Sequence, residues 1–592
     1  MNDLRSLPEE KPPTQWRALV FNSKAWLLRL RRWLHDPHGR PGPLPRNAIA
    51  GDGRMLAESR SLLYPSAVAA EFALQAGKVQ NLRAAAACLH GRVLRAGELF
   101  SFWANVPRPA ARRGFAPGRE LREGCVIPNI GGGLCQLTNA LYDAALTAGF
   151  EIVERHAHSR RVPGSMAAAG RDATIFWNYV DLRFRATVDC QLEVHLTRSE
   201  LRIAMRAISA APDVKVSVPR APASVRPAED HPAESCETCG VTGCFRNPSA
   251  TSLPQAATTA WVVDAWWPEH DTYMAAHRQP GDTLLVPLDR RRWRAGPYRW
   301  DSRGFARVRS APLFVLRRSL ISRRLSAQGA ARQRALLEMD AQLARLCARR
   351  IPCTALHVVV SQNLLPFLWQ SGALAGRTFD VLMTRLPLAE LQSQLDRAAA
   401  RWPGVATLTD FRADPALVAA ESAALAEARR WITPHHALAR LAGPRALLLD
   451  WHLPNVPLRV PGPRLIFPAS TLARKGALEL REALNGLHAT LIPTGPVLEG
   501  DGFWQQGLTQ PPGDDPLAGT AAVVLPAWVE NQPRRLLTAL AAGLPVICTP
   551  ACGLGPRPGV ITVPEGDSAA LRAAILSCLS QSPSCPPLST HG

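Results

Sequence analysis

At 592 residues, 47% apolar and 20% charged, the chain is too long for one hydrophobic core and too apolar to stay unfolded, so three or four units are expected. The net charge of +21 would suit a nucleic acid, but only five of its 69 basic residues are lysine. The arginines run the length of the chain with no nucleic-acid module beside them, so they read as a sequence-wide bias and no specific nucleic acid is expected. No run reaches the ~20 apolar residues of a membrane span, and the N-terminus lacks a signal-peptide core, so the thirteen cysteines are expected as reduced thiols in the cytoplasm.

Taken in order, residues 1–60 are an N-terminal segment and linker. Within it, residues 16–34 mix Leu19, Trp26, Leu27, Leu30 and Trp33 with Lys24, Arg29, Arg31 and Arg32. That pattern predicts a basic amphipathic helix suited to an anionic bilayer surface, at the inner membrane face. The competing reading docks the helix on the next domain through the same tryptophans. Residues 61–210 predict a mixed α+β domain, with strands in Thr174–Val188 and Cys190–Ala207. Residues 211–258 are a Pro/Ala/Ser-rich linker containing cysteines. Short apolar strands then alternate with helical stretches over 259–440 and again over 441–582, which predicts two Rossmann-like lobes with parallel sheets and a ligand cleft between them. Ala446–Asp450 reads as the first strand of the second lobe. Residues 583–592 read as a disordered tail.

Three stretches carry chemistry. Gly131, Gly132 and Gly133 lead into Cys135 and Gln136, followed by Leu137, Leu141, Ala144 and Ala148 at helical spacing. A cysteine at a helix N-terminus is a candidate nucleophile, with His156 or His158 as base and Asp172 orienting the imidazole. Gln136 and the loop N–H groups are candidate oxyanion donors. A buried cysteine beside a tight turn is the competing reading. Next, Cys236, Cys239 and Cys244 have the close spacing of thiolate ligands to zinc or an iron–sulfur cluster, with His231 nearest to complete the set; a redox Cys-x-x-Cys or an inert loop is the alternative. Finally, Arg474 and Lys475 near a strand-to-helix turn could hold a diphosphate, Glu530 could accept from sugar hydroxyls, and Gly543 would shape the turn into the following strand. In the first lobe His357, Asn363, Arg377, Glu421 and Thr433-Pro-His-His436 are polar residues that could meet an acceptor.

The blocks GELFSFWANV, RGFAPG, IPNIGGGLCQLTNALYDAAL, ERHAHS, GRDATIFW and DLRF, in that order over about Gly97–Phe184, resemble the VanW family of vancomycin-resistance accessory proteins. The resemblance groups Gly131–Gly133, Cys135, Gln136, Arg155, His156, His158, Asp172 and Asp181, and implies bacterial cell-envelope metabolism. Leu472-Ala-Arg-Lys-Gly476, the stretch from Val524 to Glu530 and the stretch from Leu537 to Ile547 resemble the donor lobe of a group 1 glycosyltransferase of the two-lobed GT-B fold. That likeness implies a UDP- or GDP-linked sugar donor held by Arg474, Lys475, Gly476, Glu530 and Gly543, with Glu530 catalytic. Two positions depart from its pattern: Thr538 where a second glutamate is usual, and Ser470 where an arginine is usual. The leading expectation is a retaining-type hexosyl transfer to an envelope glycan or lipid. The alternatives are a thiol hydrolase or acyltransferase centred on Cys135 with lobes that only bind ligand, or a non-catalytic envelope-assembly protein.

Overall fold

The computed structural model describes residues 15–36, 41–47, 53–65, 69–122, 125–158, 170–208, 256–292, 298–325, 329–409, 412–504, 508–511 and 513–581. Two compact units are distinguished: Met1–Thr258 with Ile351–His357 and Ser371–Thr378, and Thr259–Arg350 with Val358–Gln370 and Phe379–Gly592.

The first unit is α+β. Its strands are β1 (Met55–Leu62), β2 (Arg92–Leu94), β3 (Leu99–Ser101), β4 (Pro117–Arg122), β5 (Cys125–Ile130), β6 (Glu151–Glu154), β7 (Arg183–Arg185), β8 (Cys190–Leu196) and β9 (Glu200–Ala207). They form a four-stranded sheet β1-β9-β8-β2, a three-stranded sheet β3-β7-β6 and the β4-β5 hairpin. The antiparallel β8-β9 register sets Leu192 opposite Met205 and Val194 opposite Ile203, all buried. Helix Cys135–Thr147 buries Leu137, Leu141, Ala144 and Ala145, an apolar stripe at helical spacing, in the same core as Phe100 and Phe184. The alternation over 174–188 yields a strand only at β7, because Phe176 donates its N–H to Val180 (3.0 Å) and closes a turn in which Asn178 takes a positive φ.

Helix Gln15–Leu34 is docked on this unit through its arginines. Arg32 holds Glu154 with both terminal nitrogens (2.7 and 2.5 Å), Arg29 donates to the Trp177 carbonyl (3.1 Å), and Asp36 just beyond the helix holds Arg183 bidentately (2.8 and 2.7 Å). Trp26 and Trp33 stay 60% and 58% exposed.

The second unit contains two parallel sheets. The first comprises β10 (Thr258–Val262), β11 (Thr283–Val286), then, after the small pair β12 (Leu288–Asp289) and β13 (Arg299–Trp300), β14 (Arg307–Ser310), β15 (Ala355–Ser361), β16 (Thr378–Leu382), β17 (Arg430–Thr433) and β18 (Ala446–Leu448). Their spatial order is β14-β11-β10-β15-β16-β17-β18, so the chain reverses direction across the sheet between β10 and β15, as in doubly wound dinucleotide folds. The second sheet comprises β19 (Arg464–Phe467), β20 (Thr490–Pro493), β21 (Thr520–Leu525), β22 (Val546–Cys548) and β23 (Val560–Thr562), ordered β20-β19-β21-β22-β23. Its reversal lies between β19 and β21. Strands β11 and β21 are buried at every position, as strands covered on both faces must be. The expected first strand of the second lobe instead closes the first sheet: Trp431 sits opposite Ala446 and Thr433 opposite Leu448, making β18 a half-exposed edge.

Candidate functional site

The glycine loop forms because its backbone has no room for side chains. Gly131 and Gly133 both adopt φ +89°, and a Cβ on Gly133 would stand 2.1 Å from Lys78 Cγ. Lys78 is buried beneath the loop, and burial, with help from Arg119, pushes its ammonium down to about 7 despite Glu71. The loop ends at Leu134, and Cys135 is the first residue of its helix.

Around Cys135 the structure gathers His158 and Asp172. The Cys135 side chain lies near enough to His158 to raise the imidazole to about 9; burial opposes the rise and Asp172 adds to it. Asp172, fully buried, takes the His158 Nδ1 and also accepts the His158 backbone N–H at 2.7 Å. Thr174 Oγ1 lies 3.7 Å from the sulfur. The cysteine's own helix clamps the segment that carries the carboxylate: Thr138 Oγ1 donates to the Ala173 carbonyl (2.6 Å), and Asn139 Oδ1 accepts the Ala173 N–H (2.7 Å). The order sulfur, imidazole, carboxylate is the arrangement in which a thiolate can be generated and an imidazole held in one orientation.

The neighbouring residues divide differently from the sequence expectation. Gln136 donates to Ser61 Oγ (2.9 Å) and the Leu62 carbonyl (2.7 Å), so its amide is spent on β1 and is no oxyanion donor. His156 lies beside Glu154 (3.3 Å), leaving His158 as the imidazole at the sulfur. Arg155 covers the Tyr142 ring (5.3 Å). Asp181 accepts from Ser101 Oγ (2.6 Å) and Arg183 Nε (3.0 Å); burial raises its carboxyl, and its role is to tie β3 to β7. Lys78, Thr138, Asn139 and Thr174 were not singled out in the sequence, since a lysine inside an alanine-rich helix gives no sign of lying under a loop.

A second cluster lies at the reversal of the last sheet, where doubly wound folds bind ligands beyond the carboxyl ends of their strands. Residues after β19 supply Arg474, Lys475 and Gly476, and residues after β21 supply Glu530. Lys475 Nζ is 3.0 Å from both Glu530 Oε2 and the Val529 carbonyl, and Gln532 donates its N–H to Glu530 Oε1 (2.8 Å). Burial pushes the Glu530 carboxyl up, but Lys475 and the N–H donors outweigh it and hold it below the usual range. The two loops touch closely: a Cβ on Gly476, at φ +78°, would stand 2.0 Å from the Pro526 carbonyl oxygen, and the Arg474 carbonyl accepts N–H groups from Trp528 (3.0 Å) and Val529 (3.2 Å). Gly543 does not join them. It follows helix Arg534–Ala541 and precedes β22, at the amino edge of the sheet, so its part is to turn the chain. Thr538 bonds back to the Arg534 carbonyl (3.0 Å).

The first lobe contributes contacts the sequence did not announce. Glu269 holds Arg534 bidentately at 2.7 Å per bond, and the guanidinium lies 5.1 Å from the Trp267 ring and 5.4 Å from the Trp451 ring. His435 reaches the Glu530 loop: Nε2 is 3.2 Å from both the Glu530 and Ala551 carbonyls, and burial lowers its basicity. The other polar residues expected there serve the scaffold. His357 bonds Thr378 (2.9 Å), Asn363 donates to Asp264 (2.9 Å), Arg377 donates to the Ala355 carbonyl (2.7 Å), and Glu421 pairs with Arg385 (2.8 Å). His231, Cys236, Cys239 and Cys244 lie outside the described residues. Among the described residues no group of three His, Cys, Asp or Glu side chains is placed to hold a metal ion.

Residues 77–207 match the family model "VanW like protein", and residues 507–581 match "Glycosyl transferases group 1". The chain is 31% identical over 152 residues to the vancomycin B-type resistance protein VanW of Enterococcus faecalis, covering 25% of this chain and 55% of that one. It is 33% identical over 105 residues to the uncharacterized protein YoaR of Bacillus subtilis, 18% of this chain and 34% of that one. It therefore spans about half, or less, of these relatives. Among solved structures, 55% of the chain is similar to sucrose-phosphate synthase of Thermosynechococcus elongatus (14% identity, 90% of that chain, TM-score 0.35). The same share is similar to WaaG, a glycosyltransferase involved in lipopolysaccharide biosynthesis (16%, 91%, 0.32), and to HepE of Anabaena in complex with UDP (13%, 90%, 0.32). The chain thus joins a VanW domain over 77–207 to a group 1 glycosyltransferase domain over 507–581.

Proposed function

We propose that the second unit transfers a hexose from a UDP- or GDP-linked donor to a cell-envelope glycan or lipid. The observation that carries this reading is the pairing of Lys475 with Glu530 at the reversal of the last sheet. The ammonium would face the donor's diphosphate and the carboxylate its sugar hydroxyls, each group preorganised by the other before ligand arrives. The residues fit such a donor in part. The cation, the carboxylate and the tight Gly476 approach are present, whereas Thr538 offers no carboxylate for a ribose and Ser470 no second cation. Isothermal titration of the intact protein with UDP- and GDP-sugars tests the reading. Binding in the micromolar range that falls at least tenfold in Glu530→Ala is expected, and no heat with any donor sinks it.

A second reading has its own observation, the Cys135–His158–Asp172 arrangement. In it Cys135 is the nucleophile of an acyl transfer or hydrolysis at an amide, His158 the base and Asp172 the residue that orients it. Retained activity towards peptide or amide substrates in a folded Cys135→Ala protein would end it. The exposed face of helix Gln15–Leu34 further suits the inner face of an anionic membrane, with Arg29 and Arg32 committed to docking and Lys24 and Arg31 outward. Flotation on anionic vesicles with and without residues 1–40 tests that placement. No helix among the described residues is long and apolar enough to cross a membrane.

A further inference from the structure

The helix that begins at Cys135 lays one row of side chains along the segments that carry His158 and Asp172. Cys135 lies 3.7 Å from Thr174 Oγ1, Thr138 and Asn139 bond Ala173, and Tyr142 meets Arg155, whose guanidinium carbon is 5.3 Å from the ring centre. Positions three, four and seven residues after Cys135 share its helix face, and two turns, about 10 Å, separate it from Tyr142. Arg155 has no counterion along this row. The acidic side chains of the same segments are each committed: Glu154 to Arg32 (2.5 Å), Glu151 to Arg185 (3.3 Å), Asp143 to Arg171 (3.1 Å) and Asp172 to His158. Among the described residues Arg155 donates no hydrogen bond and forms no ion pair, and its Nε is buried without an acceptor. Cys135, Tyr142 and Arg155 are all half-buried, so each keeps part of its side chain open to solvent. The Tyr142 ring holds the guanidinium in place and leaves its planar fork of donors for an anion, and a carboxylate matches that fork bidentately.

We propose that Arg155 is a specificity residue of the Cys135 site, and that the acyl substrate carries a carboxylate about two helical turns from the carbonyl that Cys135 attacks. The proposal rests on the reading of Cys135 as a nucleophile and adds to it the charge of the substrate and the place of that charge. The neighbouring cations are spent on protein carboxylates, Arg171 on Asp143 and His158 on Asp172, so Arg155 is the one whose charge a ligand would meet.

The test alkylates the full-length protein at pH 7 with four bromoacetyl compounds. N-bromoacetyl-ε-aminocaproate carries its carboxylate about two helical turns from the reacting carbon, N-bromoacetylglycine carries it close by, and the primary amide of each is the neutral control. In every case the Cys135 sulfur forms a C–S bond as bromide leaves, and mass spectrometry of the Cys135 peptide gives the rate. The acid-to-amide rate ratio cancels changes in the thiol itself. It is expected to be about fivefold larger for the long compound than for the short one, since the overall charge of +21 favours both acids alike. Arg155→Met should make the two ratios equal, and Arg155→Lys should keep part of the difference, because the charge survives without the planar fork. Equal ratios in the wild type overturn the proposal, a comparison that stands whether or not a variant folds. So does a difference that survives Arg155→Met in a protein with the wild-type melting temperature. If His158→Ala leaves labelling by both amides unchanged, the nucleophile reading falls and this proposal with it. Labelling that depends on His158 but shows no preference for the long acid removes the carboxylate alone.

Discussion

At the scale of single residues, the informative group is His158, because its environment makes a pH-dependent claim. An imidazole near 6.5 in the unfolded chain is raised to about 9 in the fold, first by the neighbouring Cys135 side chain and then by Asp172, against the opposing effect of burial. A group raised on folding binds its proton more tightly in the native state, so its stabilisation is complete below pH 6.5 and fades as pH climbs through 9. Cys135→Ala removes the largest cause. The His158 resonance in that variant should therefore titrate well below 9 by NMR. The stability gap between wild type and variant, measured by urea unfolding, should be about 1–2 kcal/mol larger at pH 6 than at pH 10, reduced from the full linkage value because the side chain is partly exposed. A gap that grows with pH would contradict the arrangement. Reactivity makes a parallel claim: if His158 serves Cys135 as its base, iodoacetamide should label Cys135 at least tenfold more slowly in His158→Ala at pH 7. Mass spectrometry of the peptide containing Cys135 reads this directly, since Cys190, Cys347, Cys548, Cys552 and Cys578 are buried.

Elements rest on close backbone approaches that few glycines make. Gly476 turns the chain between the short helical turn Ala473–Lys475 and helix Ala477–Leu484 at a positive φ, with the Pro526 carbonyl where a Cβ would go. Gly476→Ala is therefore expected to cost about 2–3 kcal/mol, seen as a lower melting temperature, and to weaken any donor binding by moving Lys475 from Glu530. Gly543→Ala also meets a positive φ, but its nearest neighbour is the end of the Leu458 side chain (3.2 Å), so it should cost less and leave Lys475 in place. This contrast shows what the sequence could convey. Parallel sheets were legible because fully buried strands are continuous apolar runs, and the cysteine helix because its stripe repeats at 3.6 residues. The placement of Lys475 beside a strand-to-helix turn was legible because that turn is local; its contact with Glu530 was not, since the two lie 55 positions apart. Gly543 was legible as the turn into the next strand, but not which edge of the sheet it occupies, because a glycine before a strand looks the same at either edge. Ala446–Leu448 was given to the wrong lobe because an edge strand's pairing is decided by its neighbour and not by its own residues. Gln136 was misassigned because its partner, the end of β1, lies more than seventy positions away.

For the second unit as a whole, the lobes are linked by several polar contacts, among them His435 on the Glu530 and Ala551 carbonyls and Trp402 on Glu479, and by one buried ion pair in an aromatic setting. Glu269 comes from helix Pro268–His277 of the first lobe, and Arg534 begins a helix of the second. Glu269 is fully buried at its side chain and also accepts the His452 N–H at 2.9 Å; burial pushes its carboxyl up, and Arg534 more than reverses this. Trp267 and Trp451 flank the guanidinium, adding cation–π attraction while excluding water. Breaking one side of such a pair leaves the other charge without its counterpart, so Arg534→Met is expected to destabilise the protein by about 3 kcal/mol. Glu269→Gln should cost less, because Arg534 is one-third exposed and can hydrate. The double variant should recover part of the Arg534→Met loss, with a coupling energy of about 1–2 kcal/mol in a thermal or urea cycle. Arg534 is the first residue of the donor-lobe helix and stands four positions from Glu530. If closure of the lobes around a ligand uses the bridge, Arg534→Met should weaken nucleotide-sugar binding beyond what its stability loss accounts for, in a titration run well below the variant's melting temperature. Additive single-variant losses would reduce the bridge to two unrelated surface contacts, and undiminished binding would confine it to holding the fold.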